Sequence, residues 1–226
     1  MRRVGASAGI RVVVVDDQPL YRQMLASTLS SAPGITVVGV AAGAGAAREI
    51  FAGLRPDAVD VALLDVQLGD GDGIELGLEL RATRPGLGIV LLSATDALDV
   101  LLELPRPDSQ GWSCLSKTSS LGLPALVRAI EVTAEGRTVL DPELVARRKP
   151  RRGSGLTRLS ARQYEVLRLL AEGLSNAGIA SRLGLAPRSV DNHIAAVYAE
   201  LGLASGGVVN PRVGAALRFL EETAAS

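Results

Sequence analysis

Short apolar runs and amphipathic stretches alternate through the first 135 residues. Val12-Val13-Val14-Val15 is an unbroken β-branched run, the pattern of a strand buried on both faces. Comparable runs lie at Ile35 to Val40, Val61 to Leu64, Ile89 to Leu92 and, more weakly, Trp112 to Leu115. A helix follows the first run, with Pro19 near its first turn and Leu20, Met24, Leu25 and Leu29 spaced for one face. Ala44 to Leu54 predicts a second helix, ended before Pro56, and Ile74 to Ala82 a third. Residues 97–104 predict a short helix stopped by Pro105 and Pro107. Leu121 to Glu135 predicts the last of this series, with Ser119 or Ser120 as its cap and Pro124 in its first turn. Five strand–helix units of this length predict a doubly wound, five-stranded parallel sheet of flavodoxin-like order over residues 10–135.

The pattern then changes. Residues 136–156 contain Arg147-Arg148-Lys149-Pro150-Arg151-Arg152 followed by Gly153-Ser154-Gly155, which reads as a linker. From 157 to 226 no strand pattern returns. Ser160-x-x-Gln163 is a capping box opening a helix to about Glu172, with Gly173 as its stop. A short helix spans Asn176 to Leu183 and ends at Gly184. Pro187 opens a third helix that ends at Gly202, and Asn210-Pro211 starts a fourth. Short helices at this spacing predict an all-α helix-turn-helix domain.

Charge sharpens the division. The chain has 226 residues and no net charge, from 24 basic and 24 acidic groups. Residues 1–140 carry a net −4 and residues 141–226 a net +4. Such asymmetry points to two domains with different partners. Five of the basic groups fall at 147–152, so residues 155–226 hold only +1. Phosphate neutralisation by one copy of that domain is therefore modest, and a homodimer on two half-sites would multiply it. The single cysteine, Cys114, excludes an internal disulfide and fits a reducing cytoplasm. It reads as a small buried apolar residue, with redox sensing as the lesser alternative. No apolar run approaches the ~18 residues of a membrane span.

In an open α/β sheet, ligands collect at the carboxyl ends of the strands. Those ends carry Asp16 and Asp17 after the first strand, Asp65 after the third, Ser93 after the fourth and Lys117 after the fifth. Three converging carboxylates repel one another unless a hard cation such as Mg²⁺ joins them. A hydroxyl and a lysine beside the metal would then meet the oxygens of a phosphoryl group, with the Asp65 carboxylate as its acceptor. Asp70 and Asp72, in a Gly-rich turn, read instead as turn or cap residues.

Here the sequence resembles the receiver domain of two-component response regulators. The strings VVVVDDQPLYR (12–22), VALLDVQLGDGDGIE (61–75), LLSA (91–94) and the isolated Lys117 carry the resemblance. It implies Asp65 as phosphoacceptor, Asp16, Asp17, Asp65 and the Gln67 backbone carbonyl around Mg²⁺, and Ser93 and Lys117 on the phosphoryl group. It also implies a sensor histidine kinase as donor, with the transfer self-catalysed. The chain departs from the family at Cys114, where an aromatic residue is usual, and at Gly69, where proline is usual.

On the third helix of the second half, Val190, Ile194, Val197 and Leu201 form a narrow apolar stripe. The opposite face carries Arg188, Asn192, Ala195, Ala196 and Ala199, small enough for close approach to a major groove. LSARQYEVLRLLAEGLSNAGIASRLGL (159–185) and APRSVDNHIAAVYAELGL (186–203) resemble the LuxR-type helix-turn-helix of the NarL/FixJ regulators. The resemblance implies DNA contacts from Arg188, Ser189, Asn192, His193 and Ala196. Glu165 matches a structural acidic position of that family. Ala186 stands where a capping Ser or Thr is usual, and Asp191 where a basic residue is usual. His193, the only histidine, reads as a packing residue near a phosphate rather than a metal ligand.

Together these features predict a cytoplasmic, DNA-binding transcription regulator switched by phosphorylation at Asp65, and not an enzyme acting on a separate substrate. One alternative is a regulator whose atypical receiver answers to a ligand or to dimerisation without phosphate. Another is a Mg²⁺-dependent phosphatase with Asp65 as nucleophile.

Overall fold

The computed structural model describes residues 9–94, 104, 110–118, 120, 122–151, 153–203 and 210–225. They fall into two compact units, one made of residues up to Ala94 with Gly111–Gly136, the other containing Arg137 onward.

The first unit contains strands β1 (Ile10–Val15), β2 (Ile35–Ala41) and β3 (Val61–Asp65), then the short hairpin strands β4 (Gln67–Leu68) and β5 (Gly71–Asp72), and finally β6 (Gly88–Ser93) and β7 (Trp112–Ser116). The helices are α1 (Pro19–Ser30), α2 (Ala44–Gly53), α3 (Gly73–Thr83) and α4 (Leu123–Ala134). The main sheet runs β2-β1-β3-β6-β7 with every pairing parallel, the doubly wound order expected from the sequence. Val12 to Val15 and Val61 to Leu64 are fully buried, as a sheet covered by helices on both faces requires.

Two expectations for this unit change. On α1 the buried residues are Leu25 and Leu29, while Leu20 is 84% exposed. The inward line runs Tyr21, Leu25, Leu29, a strict i, i+4 row, and Leu20 falls outside it in the first turn. The cap of α4 is Gly122, which makes no side-chain bond. Ser120 turns away instead and donates to the Lys117 carbonyl at 2.9 Å, and Ser119 lies outside the described residues. The short helix expected at 97–104 also lies outside them, except for Leu104, which is buried.

The second unit holds α5 (Pro142–Arg147), β8 (Arg148–Pro150), a 3₁₀ turn (Gly155–Arg158), α6 (Ala161–Ala171), α7 (Asn176–Leu183), α8 (Pro187–Glu200), α9 (Pro211–Glu222) and β9 (Thr223–Ala225). Of the stretch expected to be a linker, the described residues from Arg137 onward fall within this unit. Val139, Leu140 and Val145 are buried, and the Leu140 amide donates to the Ala171 carbonyl at the end of α6 (3.0 Å). β8 pairs antiparallel with β9, so a strand does return near the chain end. Charge, Pro and Gly at 147–155 masked this order, because a three-residue strand has too few positions to show a period.

Side-chain caps open three of the four longer helices. Ser160 and Gln163 form the reciprocal capping box of α6. Ser175 caps α7, Gly184 leaves it at φ +62°, and Asn210 caps α9. Val190, Ile194, Val197 and Leu201 are all buried, so the apolar stripe of α8 packs inward.

Candidate functional site

The strands β1, β3, β6 and β7 run parallel, so their carboxyl ends share one end of the main sheet. They bring together the oxygens of Asp16, Asp17 and Asp65, which lie within 4.8 Å of one another. Asp16 and Asp65 are buried. Asp16 is held by local geometry: its Oδ1 accepts from the Gln18 amide (2.8 Å), and Arg22 Nη1 donates to its carbonyl (2.6 Å). Asp65 Oδ1 accepts from the Gln67 amide at 3.2 Å.

Lys117 reaches into this cluster. Its Nζ stands 2.7 Å from Asp65 Oδ2 and 2.9 Å from Asp16 Oδ2. Burial pushes the Asp65 carboxyl up, and the hydrogen bond and charge of Lys117 pull it only part of the way back. Burial works against the Lys117 ammonium, but its bonds to Asp16 and Asp65 outweigh that and raise its pKa. The β6–β7 register places Ser93 opposite Ser116, and the Lys117 amide donates to the Ser93 carbonyl at 2.7 Å. Ser93, buried at the end of β6, is thus fixed beside the start of the lysine loop.

The donor set suits a hard divalent cation. Three carboxylates supply anionic oxygen and no sulfur or imidazole, which matches Mg²⁺ rather than zinc or copper. The Gln67 carbonyl lies two residues beyond Asp65 in the same loop.

Asp70 and Asp72 behave as the turn chemistry predicts. Asp72 caps α3 through the amides of Ile74 and Glu75. Asp70 reaches across to α2, where its carboxylate accepts from the amides of Ala44 (2.7 Å) and Gly45 (2.9 Å). Residue spacing gave no hint of that partner, because the two segments are far apart in the chain. Tyr21 also escaped the sequence reading, its ring centroid lying 4.7 Å from Lys117 Nζ.

In the second unit, α7, the turn at Gly184 and α8 form a helix-turn-helix. Arg188 and Asn192 are exposed on α8, and Ser189, His193 and Ala196 are partly exposed. Asp191 lies at the margin of this face. Its Oδ1 accepts from Asn176 Nδ2 of α7 (2.8 Å), and Arg212 Nη1 of α9 donates to Asn176 Oδ1 (3.0 Å). The departure at Asp191 therefore has a structural use: it ties α8 to its neighbours. The Glu165 carboxylate pairs with Arg162 one turn earlier, at 2.9 Å. Ala186 caps nothing, as its side chain dictates.

Comparison with known proteins agrees with both halves. Residues 12–130 match the response regulator receiver domain, and residues 157–208 match the luxR family of bacterial regulatory proteins. The DNA-binding transcriptional activator DevR/DosR of Mycobacterium tuberculosis is 31% identical over 200 residues, covering 86% of this chain and 89% of its own. A probable transcriptional regulatory protein NarL of the same species is 32% identical over 198 residues, covering 86% and 88%. Among solved structures, the RcsB response regulator of Salmonella typhimurium is similar in fold, with a TM-score of 0.51 at 22% identity, covering 94% of this chain and 98% of that one. No described helix is long and apolar enough to cross a membrane. The acidic end of the parallel sheet and the helix-turn-helix are thus parts of one known arrangement, and the chain belongs to the DNA-binding transcriptional response regulators of the NarL/LuxR type.

Proposed function

We propose that this regulator is switched by phosphorylation of Asp65, with residues 10–135 as the receiver and 157–226 as the DNA-binding domain. The observation that supports the reading most directly is Lys117 seated 2.7 Å from the Asp65 carboxylate inside a three-carboxylate cluster. An Asp65 oxygen attacks phosphorus of a phosphohistidine on a sensor kinase, the phosphorus–nitrogen bond breaks, and the imidazole, already protonated on its other nitrogen, leaves as the neutral ring. Asp16, Asp17, Asp65 and the Gln67 carbonyl would hold Mg²⁺, which supplies charge neutralisation on the phosphoryl oxygens. Lys117 shifts its contact from the carboxylate to a phosphoryl oxygen, and Ser93 donates its hydroxyl to another. Arg188 and Asn192 suit guanine and adenine edges, and Ser189, His193 and Ala196 flank them. A homodimer on two half-sites, formed in the cytoplasm, compensates for the near-neutral helix-turn-helix.

The test is labelling with a small phosphodonor, acetyl phosphate, in Mg²⁺. Wild type acquires one acid-stable, hydroxylamine-sensitive phosphoryl group and Asp65→Asn none. Equal labelling of both, or of neither, contradicts the reading.

A further inference from the structure

Tyr21 stands in the first turns of α1, half-buried, beside Pro19, Leu20 and Met24. Its polar contacts converge on Lys117. The ring faces the ammonium, with 4.7 Å between Nζ and the ring centroid. The hydroxyl donates to Ser120 in a short hydrogen bond and lies 3.2 Å from the Lys117 carbonyl. Ser120, 1% exposed, donates to the same carbonyl at 2.9 Å. One side chain therefore touches Lys117 at both ends, the backbone through its hydroxyl and the ammonium through its π face.

A lysine side chain is a point charge on a four-carbon stem and loses much rotamer freedom when it is fixed. Two carboxylates alone draw the ammonium towards their own centre. An aromatic face within cation–π range, on a side chain tied to the same loop, restricts where the stem runs. We propose that Tyr21 is the positioning residue of Lys117, holding the ammonium ready for the phosphoryl oxygens before transfer begins. This rests on the reading that Lys117 meets a phosphoryl group on Asp65. The ring supplies most of the effect and the hydroxyl pins the loop. The hydrogen bonds of Tyr21 go to Ser120 and the lysine loop rather than to the carboxylates, so it acts through the lysine. Pre-setting the stem means that its ordering cost is met before the reaction rather than during it.

The experiment uses the full chain as wild type, Tyr21→Phe, Tyr21→Leu, Lys117→Ala and the double variant Tyr21→Leu/Lys117→Ala, each checked for a cooperative thermal transition. The first readout needs no metal. The chain has only two lysines, 117 and 149, so lysine-labelled NMR gives two sets of side-chain resonances. Ring current moves the Lys117 ε-methylene upfield in wild type and Tyr21→Phe, and Tyr21→Leu returns it to the position of an unstacked lysine. The second readout is the rate of labelling by acetyl phosphate in Mg²⁺. Tyr21→Leu slows it about fivefold, as expected for one partly exposed cation–π contact, and Tyr21→Phe recovers most of the loss. In the Lys117→Ala background the Tyr21→Leu change is silent, because nothing remains to position. An equal slowing in both backgrounds, or Lys117 resonances indifferent to Tyr21→Leu, overturns the proposal. If wild type itself does not label, the Asp65 reading fails, while the NMR comparison still decides whether Tyr21 holds Lys117.

Discussion

Asp65 and Asp70 carry the same carboxyl group five residues apart, yet their surroundings push them in opposite directions. Burial raises the Asp65 carboxyl, whereas the Gly45 and Ala44 amides lower that of Asp70. The start of α2 cannot cap itself, because its N-cap is Gly43, so Asp70 supplies the acceptor from another loop. A carboxyl whose pKa falls on folding contributes stability above its unfolded pKa and loses it as pH falls through the folded one. Asp70→Ala should therefore lower the melting temperature at pH 7, and the gap from wild type should close as pH falls through and below the ordinary aspartate range. A gap that persists unchanged in acid would show that the carboxylate charge is not what caps α2. Gly73 has a stricter role. A Cβ there would stand 1.9 Å from the Asp65 carbonyl oxygen, so α3 packs against the acceptor loop only with glycine in its first turn. Gly73→Ala should destabilise the receiver unit by about 1–3 kcal/mol in urea denaturation, the usual cost of forced overpacking.

At the scale of elements, the strands were legible because β-branched runs have few alternatives, and the second-half helices because their caps are explicit. Ser160 with Gln163, Asn210 and the Gly184 stop all fell where the residues said. Partners distant in sequence were not legible. The bonds of Asp70 to α2, of Tyr21 to the Lys117 loop and of Asn176 to Asp191 leave no local period, and the same blindness made Ser120 look like a cap. The site residues themselves could be read because each ends a strand, where the topology of the sheet dictates convergence. The weak start of α8 gives a prediction at this scale. Ala186 already has the extended backbone of a cap but offers no acceptor, so Ala186→Ser should stabilise the helix-turn-helix unit by about 1 kcal/mol. Thermal unfolding by circular dichroism reads this directly. On the exposed face of α8, Arg188→Ala should weaken specific DNA binding by about 1–3 kcal/mol in fluorescence anisotropy while leaving the melting temperature unchanged.

At the scale of the molecule, the zero net charge conceals an acidic receiver and a basic remainder whose charge lies largely at 147–152. Within that stretch Arg148, Lys149 and Pro150 are paired as a strand. Val139, Leu140 and Val145 are buried, and β8 pairs with β9, so residues 137–156 form part of the second unit. A fragment of residues 137–226 should accordingly resist urea better than one of residues 157–226, and equal midpoints would remove the packing role of the segment. The central claim joins the two units: phosphorylation of Asp65 governs DNA binding. It is tested most directly by measuring affinity for the regulator's own DNA site, obtained by selection from genomic fragments, with and without acetyl phosphate and Mg²⁺, in wild type and Asp65→Asn. The predicted result is an affinity that changes at least tenfold on phosphodonor treatment in wild type and not at all in Asp65→Asn. Wild-type affinity that ignores the phosphodonor despite full labelling, or an equal response in Asp65→Asn, would contradict it.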